Sequence, residues 1–281
     1  MYGMGGAYQY AECGACGTLR LINSPSLRQF YPDNYYSPPA TGSSLRTGIE
    51  RAKEALVETG TAIIMDRLFR VIGWKGGKDA SILDVGCGTG TLLRGLRRLG
   101  YRRLRGVDPF LPSTIEQPVK IHNHSLSQVA ESFDLITLHH SLEHIPECRQ
   151  TLEAARDRLN PGGAVLVRIP IVNYAWKRFG TRWVQLDAPR HVVLFTERGF
   201  RSLAENAQLK VESVVYDSTP FQFWGSEVYE RDGILRQNYP RGLARFLFFR
   251  MRMWLRYGRA VSRLNRIGQG DQSAFLLTRA R

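Results

Sequence analysis

The segment Ile82-Leu83-Asp84-Val85-Gly86-Cys87-Gly88-Thr89-Gly90 constrains this chain more than any other. A short apolar run reads as a buried parallel strand. It ends in an acid and then a Gly-x-Gly-x-Gly turn, with a helical pattern over 91–99 behind it. Glycines after a strand let the backbone turn tightly and approach a ligand closely. A dinucleotide site wants Gly-x-Gly-x-x-Gly, so that a pyrophosphate sits on the helix N-terminus. Here the third glycine comes one residue early, Thr91 takes its place, and Asp84 puts a carboxylate where a phosphate would go. A cationic or zwitterionic ligand suits this turn better than an anion.

Strand-like runs recur at 81–85, 104–108, 119–121, 133–138, 164–169, 211–216 and 274–278. The first five alternate with helical or loop stretches at βαβ spacing, which predicts a parallel sheet with helices on both faces. Asp108 ends the second run, roughly the ~20 residues downstream expected of a ribose-binding carboxylate. Asn160-Pro161-Gly162-Gly163 predicts a turn just before the fifth strand. Two long stretches depart from a minimal fold: 170–194, with Tyr174, Trp176, Phe179 and Trp183, and 217–270. Loops this long are usually functional, so both are expected to form the substrate cover. Ahead of the sheet, 46–75 holds a helical pattern over 47–71 (Ala52, Ala55, Leu56, Ile63, Ile64, Leu68), expected as a leading helix over the cleft. Residues 1–45 are loop-rich, and 76–281 form the main domain.

A chain of 281 residues with 43% hydrophobic content can bury a core. No stretch approaches the ~18 apolar residues of a membrane span, and the start lacks a signal-peptide pattern. Four cysteines make no disulfide framework, so a cytoplasmic setting is expected. The net charge of +14 favours anionic partners. Between Gly233 and Gly270 there is no acidic residue, while Arg236, Arg241, Arg245, Arg250, Arg252, Arg256, Arg259, Arg263 and Arg266 fall there. Phe246, Phe249, Met253, Trp254, Leu264 and Ile267 add apolar area at helical spacing. The stretch 241–267 is therefore a basic amphipathic helix. It either packs on the domain with its arginines solvated, lies on an anionic membrane at the inner face, or contacts nucleic acid.

The glycine motif, Asp108, the strand order and the Leu159-Asn160-Pro161-Gly162-Gly163 turn together resemble class I S-adenosylmethionine (SAM) methyltransferases. That resemblance implies a Rossmann-like seven-stranded sheet, α/β in class, whose last strand is antiparallel. It implies that Asp84, Gly86, Cys87, Gly88 and Gly90 hold the methionine part of SAM, Asp108 and Pro109 the ribose, and Ser125 and Leu126 the adenine. His139 would stand beside the methyl group, and S-adenosylhomocysteine would be the product.

Cys13-Gly14-Ala15-Cys16-Gly17 reads alone as half a zinc knuckle or as free thiols. With Phe30-Tyr31-Pro32-Asp33-Asn34-Tyr35-Tyr36 it resembles the second half of an N-terminal zinc module in bacterial methyltransferases that act on nucleotide-linked sugars or glycans. The first half is missing, which implies that Met1 is a late start with another Cys-x-x-Cys upstream. Cys13 and Cys16 alone are expected to bind zinc poorly.

After the fourth strand comes His139-His140-Ser141-Leu142-Glu143-His144-Ile145-Pro146. The His140-x-x-Glu143-His144 spacing fits an inverted zinc-protease pattern, but that needs a long helix and Pro146 interrupts one. Glu143 or His144 either deprotonates an acceptor or caps and packs the helix start. In Gln185-Leu186-Asp187-Ala188-Pro189-Arg190-His191, Asp187 and His191 are a candidate acid–base pair and Arg190 a phosphate clamp. The plainer alternative is a rigid loop held by Arg190–Asp187 pairing. This block and Phe221-Gln222-Phe223-Trp224-Gly225-Ser226-Glu227 resemble the same zinc-module group. The expected function is SAM-dependent methyl transfer to O or C of a small-molecule or glycan acceptor, most plausibly an anionic nucleotide-linked or lipid-linked sugar in polysaccharide biosynthesis. Trp183, Asp187 and Arg190 are its candidate contacts, with His144, Glu143 and His191 as catalytic candidates. The rivals are an RNA methyltransferase, whose Asn/Asp-Pro-Pro-aromatic box is absent, and a non-catalytic SAM-binding partner protein.

Overall fold

The computed structural model describes residues 6–22, 48–238, 240 and 243–280. The segment Phe30 to Tyr36 and Arg241 therefore lie outside the described residues. Along the chain, β1 (Gln9–Glu12) and β2 (Leu19–Ile22) form a hairpin, followed by α1 (Gly48–Val71), β3 (Ser81–Val85), α2 (Thr91–Arg98) and β4 (Arg103–Val107). Next come β5 (Ile121–His122), β6 (Phe133–His139), α3 (Cys148–Asp157), β7 (Leu159–Pro170), α4 (Tyr174–Phe179) and β8 (Val193–Leu194). The chain closes with α5 (Glu197–Asn206), β9 (Leu209–Tyr216), α6 (Phe221–Glu230), α7 (Leu235–Asn238), α8 (Leu243–Arg266) and β10 (Gln272–Arg279).

Seven strands form one mixed sheet in the order β5-β4-β3-β6-β7-β10-β9, with the closing strands antiparallel. The pairs β5–β4, β4–β3, β3–β6 and β6–β7 are parallel. This is the Rossmann-like, seven-stranded α/β sheet that the sequence resemblance implied. All of β3 is buried, as an apolar run in a central parallel strand requires. The third strand is only two residues, Ile121 and His122, starting two positions later and ending one later than its apolar pattern predicts. The Pro-Gly-Gly signal does not precede the fifth strand but lies within it. Leu159 pairs Phe133 and Ala164 pairs Leu135, so the intervening residues bulge out, with Gly162 at φ 76°.

The chain divides into two compact units. One draws on Met1–Pro25, Ile169–Ser202 and Val215–Ala274, the other on Ser26–Arg168, Leu203–Val214 and Phe275–Arg281. We call them the insertion unit and the sheet unit. The N-terminal hairpin thus groups with the two insertions. In the insertion unit β2 pairs β8, giving a second sheet of order β1-β2-β8. Its core joins Leu19, Trp183, Val184, Leu194 and Val228, with aromatic side chains of α4 and α6 packed against them. In the sheet unit, α1 packs on α2: Glu58 accepts from Arg94 Nε at 2.5 Å and Arg98 Nε at 3.0 Å, and a side chain at Gly95 would strike the Glu58 carbonyl. The buried apolar face of α1 is Ala62, Met65, Leu68 and Phe69, with Ile72 buried just past its end, while Leu56, Ile63 and Ile64 of the predicted stripe are exposed.

Candidate active site

The turn after β3 is built by glycine. Gly86 and Gly90 take φ of 71° and 84°, backbone that disfavours other residues. A Cβ on Gly86 would lie 2.5 Å from Cβ of Ser141, and one on Gly90 would strike Ile121. The turn is tied down by the Gly86 N–H donating to the Val107 carbonyl at 2.8 Å and the Gly90 N–H to Cys87 at 3.0 Å.

Two carboxylates flank this turn, both nearly fully buried. Asp108 accepts from the Gly88 N–H at 2.8 Å on one oxygen and from the Phe110 N–H at 2.9 Å on the other. Burial lifts its carboxyl above the usual range, against the pull of those two N–H groups. Asp84 accepts from Thr137 Oγ1 at 2.7 Å. Burial pushes Asp84 up to about 7, with the hydrogen bond from Thr137 opposing and the negative charge of Asp108 adding to the rise. Burial also raises the Cys87 thiol well above its ordinary value. Of the residues expected at the adenine and ribose, Pro109 is exposed, Leu126 is buried, and Ser125 opens a short 3-10 turn that Gln128 caps reciprocally.

At the end of β6 the backbone turns left-handed at His140, φ 53°. The His140 Nδ1 donates to Glu143 Oε1 at 3.3 Å, and its Nε2 accepts from Arg168 Nη1 at 2.8 Å, a tautomer assigned from these partners. Burial first, then the neighbouring His140 and the Arg168 guanidinium, hold the His139 imidazole well below its ordinary range. Leu142–His144 is a single 3-10 turn, so no helix face carries His140 and His144 and the zinc-protease arrangement does not form. Glu143 is buried, and its second oxygen, like the buried Ser141 hydroxyl, has no hydrogen-bond partner among the described residues. Sequence reasoning passed over Thr137 and Arg168, whose roles arise from pairing between strands, and Ser141, placed by its close approach to Gly86.

In the insertion unit, Asp187 (φ 36°) and Arg190 form a buried ion pair, the rigid-loop arrangement. His191 lies 3.9 Å from Asp187, beyond hydrogen-bond reach, so that carboxylate does not fix its tautomer. The Gln185 carbonyl does, accepting from Nδ1 at 2.6 Å. The hydroxyl of Tyr10 on β1 donates to the His191 carbonyl at 2.7 Å. Trp183 is a core residue and offers no surface to a substrate: it is fully buried, and its indole N–H donates to Asp271 at 3.0 Å. Burial lifts the Asp271 carboxyl to about 6. Gln222 on α6, unnoticed as a polar site in the sequence, is buried with both amide atoms unpartnered among the described residues.

All four cysteines are free thiols. Cys13 is exposed on the β1–β2 turn, where N–H groups of Cys16 and Ala15 hold its thiol below the ordinary range. The Cys16 thiol donates to Thr18 at 3.3 Å, and Cys148 is buried and donates to the Ile145 carbonyl.

A family model described as "Methyltransferase domain" matches residues 58–214. The ubiquinone biosynthesis O-methyltransferase of Nitrobacter winogradskyi is 29% identical over 129 residues, 42% of this chain and 47% of that protein. The Xanthomonas oryzae pv. oryzae enzyme of the same name is 27% identical over 157 residues, 48% of this chain and 64% of that protein. The chain thus spans from about half to under two thirds of these curated relatives. Among solved structures, a candidate sarcosine dimethylglycine methyltransferase from Galdieria sulphuraria shares the fold at TM-score 0.50 and 15% identity, covering 79% of this chain and 86% of that one. Magnesium protoporphyrin IX methyltransferase from Synechocystis PCC 6803, crystallised with S-adenosylhomocysteine, matches at TM-score 0.49 and 12% identity over 90% of this chain and 98% of that one. The family match covers more than half of the sequence, so this chain belongs to the methyltransferase-domain family.

Proposed function

We propose that this chain transfers a methyl group from SAM to a hydroxyl oxygen of a small-molecule or glycan acceptor. The curated relatives carry the name O-methyltransferase, which favours oxygen over carbon. The resemblance of the Asp187-to-His191 block favours a nucleotide-linked or lipid-linked sugar. SAM supplies an electrophilic methyl on a positive sulfur, so the protein's task is alignment and a base.

The observation that carries the reading is Glu143. It is buried in the short turn after β6, one oxygen is fixed by His140, and the other is without a hydrogen-bond partner among the described residues. A carboxylate oriented this way accepts the acceptor's proton while Arg168 holds His140 from behind. Asp84 and Asp108 bind the cofactor's cationic and ribose ends, and the hydroxyl of Ser141 stands against Gly86 at the same corner. Titration calorimetry with SAM and single-turnover transfer of labelled methyl to a cell-extract glycan and lipid fraction test the scheme. Asp108→Ala abolishes SAM binding, and near-normal affinity in that variant removes the cofactor site. Glu143→Gln spares affinity and lowers turnover by roughly 10²–10⁴. Unchanged turnover passes the role of base to His144 or His191.

A further inference from the structure

Helix α8 carries three faces. One packs within the insertion unit: Phe249 meets Trp224 edge-on with centroids 4.8 Å apart, Tyr257 stacks on Phe223 at 5.3 Å, and Val261 is buried. The second is Leu247, Phe248, Met251, Trp254 and Leu255, at i, i+1, i+4, i+7, i+8 spacing, and these side chains are 46–78% exposed. The third is a row of Arg245, Arg252, Arg256, Arg259 and Arg263, spaced three, four or seven apart along one flank of that stripe. No acidic residue lies between Gly233 and Gly270 to neutralise the row from within. Arg256 reaches Glu227 on α6 at 3.2 Å.

A contiguous apolar stripe of this size marks an interaction surface. Its charge identifies the occupant. A second copy laid face to face would bring two arginine rows together, whereas anionic lipid meets both the stripe and the row. We propose that α8 docks in the plane of an anionic membrane surface, with Leu247, Phe248, Met251, Trp254 and Leu255 sunk into the headgroup–acyl boundary and the arginine row on lipid phosphates. Arginine stems extend along the apolar edge while their heads stay with the phosphates. Among the described residues no helix is long and apolar enough to cross a membrane, so α8 would lie along the surface and not span it. This inference stands whatever the acceptor is, and it would keep a methyltransferase next to lipid-linked substrates.

Sedimentation of the whole chain with vesicles tests it, using phosphatidylcholine alone and phosphatidylcholine mixed with phosphatidylglycerol. Pelleting is expected with the anionic vesicles only, and it weakens as salt rises. The double variants F248E/L255E and R252E/R259E should each bind about tenfold more weakly. Their SAM affinity, read by calorimetry, should match the parent and certify the fold. Equal pelleting on both vesicle types, full retention by either variant, or no pelleting at all overturns the proposal. A concentration-dependent dimer that F248E/L255E dissolves assigns the face to a second copy instead.

Discussion

Asp84 sits where burial and function pull in opposite directions. Its carboxyl is pushed up to about 7, so free protein holds it largely protonated in mildly acidic solution. A cationic ligand favours the ionised form, and SAM affinity should therefore fall as pH drops through 7. At pH 6 binding should be roughly tenfold weaker than at pH 8, since one unit below the pKa about a tenth of the groups are charged. Calorimetry across that range showing a flat affinity would count against Asp84 as a contact. The stability of the ligand-free protein carries the opposite sign. A pKa raised on folding contributes stability that is fully present below the unfolded value near 3.8 and is lost as pH rises through about 7. Asp84→Asn keeps the hydrogen bond from Thr137 and removes the buried charge. It should melt several degrees higher than the parent at pH 8 in scanning calorimetry while losing SAM. Asp84 was legible because it closes an apolar run beside glycines, and Asp108 because it ends the next strand at the spacing of a ribose-binding carboxylate. The left-handed turn at His140 and its grip by Arg168 were not, because that contact forms only when β6 and β7 pair.

Single elements show a similar division between pattern and partner. Helical periodicity placed α8 within two residues, yet aromatic side chains surround it, so spacing alone could not say which faced inward. Of the predicted apolar set, Phe246, Phe249, Met253 and Leu264 are partly buried, while Trp254 and Ile267 are exposed and only Trp254 joins the exposed stripe. The Pro-Gly-Gly bulge in β7 is likewise a strong local signal with two outcomes, turn or bulge, and pairing with β6 decides between them. On α6, Gln222 is a buried amide in a run of aromatic neighbours, an expensive arrangement unless an acceptor uses it. Gln222→Leu should raise unfolding stability by on the order of 1–3 kcal/mol, measured by urea titration, and should raise the acceptor's KM. A destabilised variant would mean that the amide is satisfied in solution.

For the molecule as a whole, a parallel sheet flanked by helices was readable from local patterns, since βαβ alternation leaves few topologies. The insertion unit was not. Leu19 pairs Leu194 and Tyr10 holds the His191 carbonyl, contacts between stretches far apart in sequence that leave no periodic trace. That arrangement predicts the effect of deleting residues 6–22. The loss of β1 and β2 strips an edge from β8 and uncovers its core, so limited proteolysis should accelerate within 169–202. SAM affinity should stay near normal and turnover should collapse. Unchanged proteolysis would show that the hairpin is dispensable.

Strand β10 is the sole bridge in the sheet between β7 and β9, and it is made after both. While the ribosome is still adding residues 217–270, the β7 edge and the whole of β9 wait with unpaired backbone groups. The nascent chain is then open to wrong strand partners. Completion of the sheet therefore waits on the eight residues Gln272–Arg279, made only after the long 217–270 stretch.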